Sequence, residues 1–228
     1  MGAEALARWD HPEYGMVPPS EFIPLAERAG LIGELGAWVL HTACARAARW
    51  AGGPSVAVNL SPEQVRRPGL VDLVTAVLTE TLLPPSRLEL EITEGILLHD
   101  TVATLATLAR LRTLGVGIVL DDFDTGYSSL SYLRSFPFSK LKVDRSFIAD
   151  ITTDPGAATI VQAVVGLGRN LAIRVCAEGI ETEAQFSLLR AIGCDEAQGY
   201  LFGRPGPPEA FERLLAPDRE KEREYGRK

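Results

Sequence analysis

The sequence predicts an α/β fold, most simply a TIM-like (β/α) barrel, and three observations lead there. Short apolar runs of strand length alternate with longer stretches of helical spacing through the middle of the chain, the pattern that builds parallel strands covered by helices. The residues closing successive runs are polar: Asn59, Glu91, Asp121, Lys142, Glu178 and Gln198, at intervals of 32, 30, 21, 36 and 20 residues. Each interval is long enough for a helix to return the chain to the same side of the sheet, so distant positions converge on one mouth, where barrel sites lie. The third observation is size: 228 residues, 46% apolar and 23% charged, suit one large folded domain.

Residues 2–6 form the first candidate strand. Residues 56–60 read as the second, ending at Asn59, Ser61 and Pro62, and 70–81 then has helical spacing. Residues 88–92 are a cleaner strand, with Leu88, Leu90 and Ile92 on one face and Glu89 and Glu91 on the other. A helix over 101–114 stops at Gly115, and 116–120 runs into Asp121 and Asp122. Residues 141–144 make a short strand. A helix over 157–167 leads to a strand at 171–177, a helix over 182–191 and a last strand and turn at 194–201. Seven strands are therefore expected, one short of an eight-strand barrel. No composition break divides residues 1–208, and 209–228 read as a helix end and charged tail.

Lys plus Arg number 23 and Asp plus Glu 30, a formal charge of -7. That balance argues against a broad footprint on duplex DNA or on an anionic membrane. Cys44, Cys176 and Cys194 are widely spaced without a CxxC, no basic-then-apolar leader opens the chain, and no run approaches 18 apolar residues. A reducing, cytoplasmic location is the expectation. No GxGxxG, P-loop, HExxH or GxSxG motif is present.

The sharpest local signal is VLDDFDTGYSSLSYL, residues 119–133. Adjacent carboxylates after an apolar strand suit a divalent metal; the alternative is an acidic turn capping a helix through Asp124, Ser128 or Ser129. Glu4 reads either as a ligand or as a surface residue, and Asn59 as a ligand or a helix cap. Strand alternation turns Glu91 away from Leu90 and Ile92, so an ionised Glu91 needs a metal or a cation beside it. Lys142 and Asp144 share a face opposite Leu141 and Val143; Lys142 is either a structural ion-pair partner or a group that orients water, and Asp144 supports Lys142 or the strand end. Glu178 and Glu181 either favour a helix N-terminus or work on metal-bound water. Gln198 and Tyr200 stand where a ligand would be positioned, with a place in the core the equal alternative for Tyr200.

Taken together, EAL at 4–6, NLSPEQ from Asn59, EITE at 91–94, DDFDTGYSSL from Asp121, KLKVDRSF from Lys140, AEGIETEAQ from Ala177 and QGYLFGRP from Gln198 resemble the EAL domain family in order and spacing. The resemblance covers about residues 1–208. It implies an EAL-type barrel, N-terminally short because the family's first strand is absent. It implies hydrolysis of cyclic di-GMP to the linear dinucleotide with magnesium or manganese, two ions per site. Glu4, Asn59, Glu91 and Asp121 are implied as the first metal environment, with Asp122 and Glu178 joining the ligands. It further implies that Asp121 is available to bridge toward a second metal, that Lys142 orients the attacking water, and that Glu178 is its general base or a water-positioning residue. Gln198 organises the water network, Leu6 and Arg8 contact substrate, Glu94 holds the 121–129 loop, and Asp144 and Glu181 support the site. The resemblance also implies a homodimer and, in a longer parent, an upstream sensory or GGDEF domain. Asp124 stands where the family usually has Gly, which leaves a noncatalytic cyclic di-GMP receptor or signalling scaffold as the alternative.

Overall fold

The computed structural model describes residues 1–98, 101–123, 133 and 136–215. In chain order the strands are β1 (Gly2–Ala5), β2 (Trp9–His11), β3 (Gly15–Val17), β4 (Ser55–Asn59), β5 (Leu88–Thr93), β6 (Gly117–Phe123), β7 (Lys140–Val143), β8 (Arg174–Ala177) and β9 (Glu196–Ala197). Seven form one sheet in the order β1-β4-β5-β6-β7-β8-β9, every pairing parallel; β2 and β3 make a separate antiparallel hairpin. The parallel sheet curls into a half-barrel with open edges at β1 and β9. At the C-terminal mouth those edges meet through side chains, since Gln198 Nε2 donates to Glu4 Oε2 at 2.8 Å.

The covering helices are α1 (Pro19–Arg28), α2 (Ile32–Ala47), α3 (Pro62–Arg66), α4 (Leu70–Thr81), α5 (Thr101–Thr113), α6 (Arg145–Ala149), α7 (Pro155–Leu171), α8 (Glu183–Ile192) and α9 (Pro208–Leu215). Their starts are written locally. Pro62 and Pro155 sit in first turns, where a missing N–H costs nothing. Ser61 with Gln64, and Thr182 with Gln185, form reciprocal capping boxes. Past the last strand, α9 folds back on α2, with Phe211 against Trp50 at 4.8 Å and Glu209 within 3.3 Å of Arg46.

The core lies between the sheet's outer face and the helices. Val56 and Val58, Leu88, Leu90 and Ile92, Ile118 and Leu120, Leu141 and Val143, and Val175 all point into it and meet Leu40, Cys44, Val74, Leu108, Leu111 and Val161. Each such side chain contributes roughly 1.5–3 kcal/mol on leaving water. Period-two alternation then turns Glu89, Glu91, Lys140 and Lys142 inward, where all four are buried. The apolar outer face thus decides which charges the inner face must accommodate.

Several boundaries differ from the sequence expectation. β6 continues through both aspartates to Phe123, and β7 ends at Val143, leaving Asp144 outside the strand. Residues 171–173 close α7 and turn, so β8 begins only at Arg174, and the last strand is two residues long. α1, α2, α3 and the β2–β3 hairpin have no counterpart in that expectation. The capping reading of 124–129, the loop role given to Asp124 and the charged tail beyond 215 lie outside the described residues.

Candidate functional site

Five strand ends and two following loops bring one group of side chains to the mouth. Lys142, 2% exposed, sits at its centre. Its Nζ lies 2.6 Å from Glu178 Oε1, 2.9 Å from Glu91 Oε2, 3.3 Å from Asp121 Oδ2 and 3.8 Å from Glu4 Oε2. Glu4 is held from both sides: Asn59 Nδ2 donates to Oε1 at 2.7 Å and Gln198 Nε2 to Oε2. Asn59 therefore binds Glu4, and the cap of α3 is Ser61.

The two aspartates owe their placement to an irregularity in β6. Leu120 pairs with Leu141 and Phe123 with Val143, so Asp121 and Asp122 together stand opposite the single residue Lys142. This is a β-bulge, and Asp122 takes a left-handed φ of 53° to make it. Asp is among the residues that tolerate that conformation. In a regular strand neighbouring side chains face opposite ways; here burial and the charges of Asp121, Asp144 and Glu4 all raise the Asp122 pKa, which places Asp122 in the same field as Asp121.

The electrostatics are those of an under-compensated acidic cluster. Burial, reinforced by Glu4 and Asp121, pushes Glu91 up to about 8 despite Lys142. Burial also pushes Glu178 up to about 7, again with Lys142 opposing. For Lys142 burial alone would favour the neutral amine, but Glu91, Glu178, Glu4 and Asp121 override it and hold the ammonium above the ordinary lysine range. Among the described residues, the carboxylates of Glu4, Glu91, Asp121, Asp122 and Glu178 thus share the Lys142 ammonium.

Among the described residues, no three His, Cys, Asp or Glu side chains lie close enough together to hold an ion as placed. The Lys142 ammonium stands between Glu91, Asp121 and Glu178 and serves as their counter-charge. The donor chemistry nevertheless fits a hard divalent cation. Glu4, Asn59, Glu91, Asp121, Asp122, Glu178 and Gln198 offer oxygen ligands and no thiolate or imidazole, the set that suits magnesium or manganese. Their unbalanced negative charge is what such an ion would neutralise.

Other expected residues lie elsewhere. Of the two roles expected of Asp144, the one at the strand end fits its contacts: directly after β7 it caps α6, accepting from the Ser146 N–H at 2.9 Å. Burial raises its pKa, but the Ser146 and Arg145 hydrogen bonds outweigh this and lower it. Glu181 is exposed just before α8, where its N–H donates to Gln185 Oε1. Glu94 is buried directly after β5. Leu6 and Arg8 follow β1 and are both exposed, Arg8 donating to the Ala7 carbonyl. Gly179 and Gly199 let the loops after β8 and β9 pass close; a Cβ on Gly199 would lie 2.2 Å from the Ile180 backbone. Sequence reasoning missed a second charged tier beneath the first, formed by Glu89, Lys140, Arg174 and Glu196. The alternation that exposed Glu91 and Lys142 carried that signal two residues earlier in each strand.

Residues 1–205 match the EAL domain family. The chain is 56% identical over 210 residues to an uncharacterized signaling protein of Caulobacter vibrioides, covering 92% of this chain and 26% of that protein. It is 48% identical over 213 residues to the bifunctional diguanylate cyclase/cyclic di-GMP phosphodiesterase MucR of Pseudomonas aeruginosa, covering 92% and 31%. The chain thus spans about a quarter to a third of these relatives. A solved structure of the PaMucR phosphodiesterase in complex with c-di-GMP superposes with a TM-score of 0.86 at 48% identity, covering 91% of this chain and 86% of that one.

Proposed function

Because the chain belongs to the EAL domain family, we propose that it is a metal-dependent cyclic di-GMP phosphodiesterase that produces linear 5'-phosphoguanylyl-guanosine. The observation that carries this reading is the convergence of Glu4, Asn59, Glu91, Asp121, Glu178 and Gln198 around Lys142 at one sheet mouth. Likeness to a phosphodiesterase solved with c-di-GMP supports it.

Glu4, Asn59, Glu91, Asp121, Asp122 and Glu178 would hold two divalent ions. When bound, magnesium or manganese supplies charge to offset the phosphodiester and lowers the pKa of coordinated water. Lys142, whose Nζ is within 2.6 Å of Glu178, orients the attacking water toward phosphorus, and Glu178 accepts its proton. Gln198 fixes Glu4 from across the open sheet edge and organises the solvent network there. Leu6 and Arg8, at the rim after β1, contact the substrate, Arg8 matching the charge of a phosphate. Glu94, buried directly after β5, keeps the role that the family resemblance implies for it, support of the 121–129 stretch. Water attacks in line, the P–O bond to the 3' oxygen breaks, and the 5' phosphate stays on the linear product. The functional unit is a homodimer, and in a longer parent a sensory or GGDEF domain upstream regulates it. Among the described residues no helix is long and apolar enough to cross a membrane; the cytoplasmic location rests on the three widely spaced cysteines without a CxxC.

The test is chromatography and mass of the product formed from cyclic di-GMP by the chain in its full-length parent, with magnesium and with manganese. Linear dinucleotide that requires the added metal supports the reading. Tight binding without product across both metals and an alkaline pH range would make the protein a receptor.

A further inference from the structure

One strand pleat below the mouth lies a second charged tier that the proposed chemistry does not use. Lys140 Nζ is 2.6 Å from Glu89 Oε2 and 2.6 Å from Glu196 Oε2. Arg174 spans the same two carboxylates, 3.2 Å from Glu89 and 2.5 Å from Glu196. Two cations meet two anions, so the tier is neutral and complete in itself, unlike the acidic mouth above it. Lys140 and Glu89 are both buried, and a buried pair of this kind stabilises little beyond what packed apolar residues would supply. Its value is geometric.

Three of the four members stand two residues before a position of the upper tier: Glu89 before Glu91, Lys140 before Lys142, Glu196 before Gln198. The Glu89–Lys140 and Glu91–Lys142 bridges are parallel rungs that both join β5 to β7 over the intervening β6. The upper rung stands beside the bulge at Asp121 and Asp122, where the β6–β7 register slips. The backbone ladder there does not by itself set the distance between β5 and β7. The lower rung leans across β6 from Gly117, which pairs with Glu89, to Val119, which pairs with Lys140, and a Cβ at 117 would approach Glu89 Cγ to 3.2 Å. β6 thus gives way where the lower rung needs room.

We propose that Lys140, through Glu89 and Glu196, is a positioning residue that holds β5, β7 and β9 so that Lys142, Glu91 and Gln198 keep their places around the bulge. It touches no substrate. The role in turnover rests on the phosphodiesterase reading; the role in placing Lys142 does not. Two variants of the full chain separate them, Lys140→Met and the double variant Lys140→Met with Glu89→Gln, in which no tier carboxylate lacks a partner because Arg174 retains Glu196.

In metal-free protein, heteronuclear NMR of the lysine ammonium groups should show two slowly exchanging signals, from Lys140 and Lys142. Both variants should lose one and displace or broaden the other. The double variant should regain thermal stability over Lys140→Met without restoring the Lys142 signal. In turnover with saturating manganese both variants should lose about tenfold or more in kcat, with KM within about twofold, as misplacement of reacting groups does. A Lys142 signal unchanged in the double variant, or a kcat that returns with its stability, overturns the proposal. If Lys140→Met does not fold, the double variant decides. If the parent shows no hydrolysis, the phosphodiesterase reading fails, and the displacement of the Lys142 signal still decides the positioning role.

Discussion

Replacing Lys142 by Met removes the ammonium while keeping most of the side-chain volume, so the perturbation is electrostatic. The ammonium is 2% exposed and lies within 4 Å of Glu178, Glu91, Asp121 and Glu4. Breaking a buried ion pair by removing one partner costs about 3–5 kcal/mol, because the remaining charge stays buried. For a chain of this size each kcal/mol moves the melting temperature by about 2–4 °C, so metal-free Lys142→Met should melt about 6–20 °C below the parent. The stranded carboxylates can shed part of that cost by taking up protons, so the deficit should be smaller at pH 6 than at pH 9. Saturating manganese should recover more of the melting temperature in the variant than in the parent, because the ion replaces the missing positive charge. Turnover should not return, since the water-orienting group is gone. Differential scanning calorimetry in chelator and in manganese reads all of this. A metal-free melting temperature within about 2 °C of the parent, at a pH where the carboxylates are ionised, would refute the reasoning.

Glu178→Gln should retain fold and measurable cyclic di-GMP binding but lose about 100-fold or more in turnover, the scale of a lost positioned base; Glu91→Ala should also weaken metal occupancy, and paired metal titration and product assays distinguish the two. In metal-free protein Glu178 and Glu91 titrate near 7 and 8, against 4.5 for an ordinary glutamate. The folded chain therefore holds more protons than the unfolded one across that interval, and its stability should fall as pH rises from about 4.5 to 8. The melting-temperature gain from added magnesium should grow over the same interval. Gly199→Ala would force a Cβ against the Ile180 backbone at 2.2 Å, shifting Gln198 off Glu4. Turnover should drop about 10–100-fold, as a displacement near 1 Å costs, and a crystal structure of the variant would show whether the Gln198–Glu4 bond survives.

Much of this arrangement was legible in the sequence because parallel strands write it plainly. Leu88, Leu90 and Ile92 alternate with Glu89 and Glu91, so one face had to be core and the other charged, and the 20–36-residue intervals between polar strand ends fit one mouth. What was not legible depended on local exceptions. The bulge at Asp122 cannot be read from VLDDF, because a regular strand would send its two aspartates to opposite faces. Asp144 continues the alternation of Lys142 by number, but the strand ends before it and the side chain turns to cap α6. Lys140 opens the KLKVDRSF stretch, but Glu196 carries no motif of its own, and their ion pair joins β7 to β9 over β8.

The central claim is that these residues direct water onto the phosphorus of cyclic di-GMP. A single-turnover reaction of the full-length parent in water enriched in oxygen-18, with product mass read by spectrometry, tests it most directly. The account predicts linear 5'-phosphoguanylyl-guanosine bearing one heavy oxygen on its 5' phosphate, formed only with magnesium or manganese and nearly abolished in Glu178→Gln. Linear product without the label, or labelled product formed as fast by Glu178→Gln as by the parent, would contradict it.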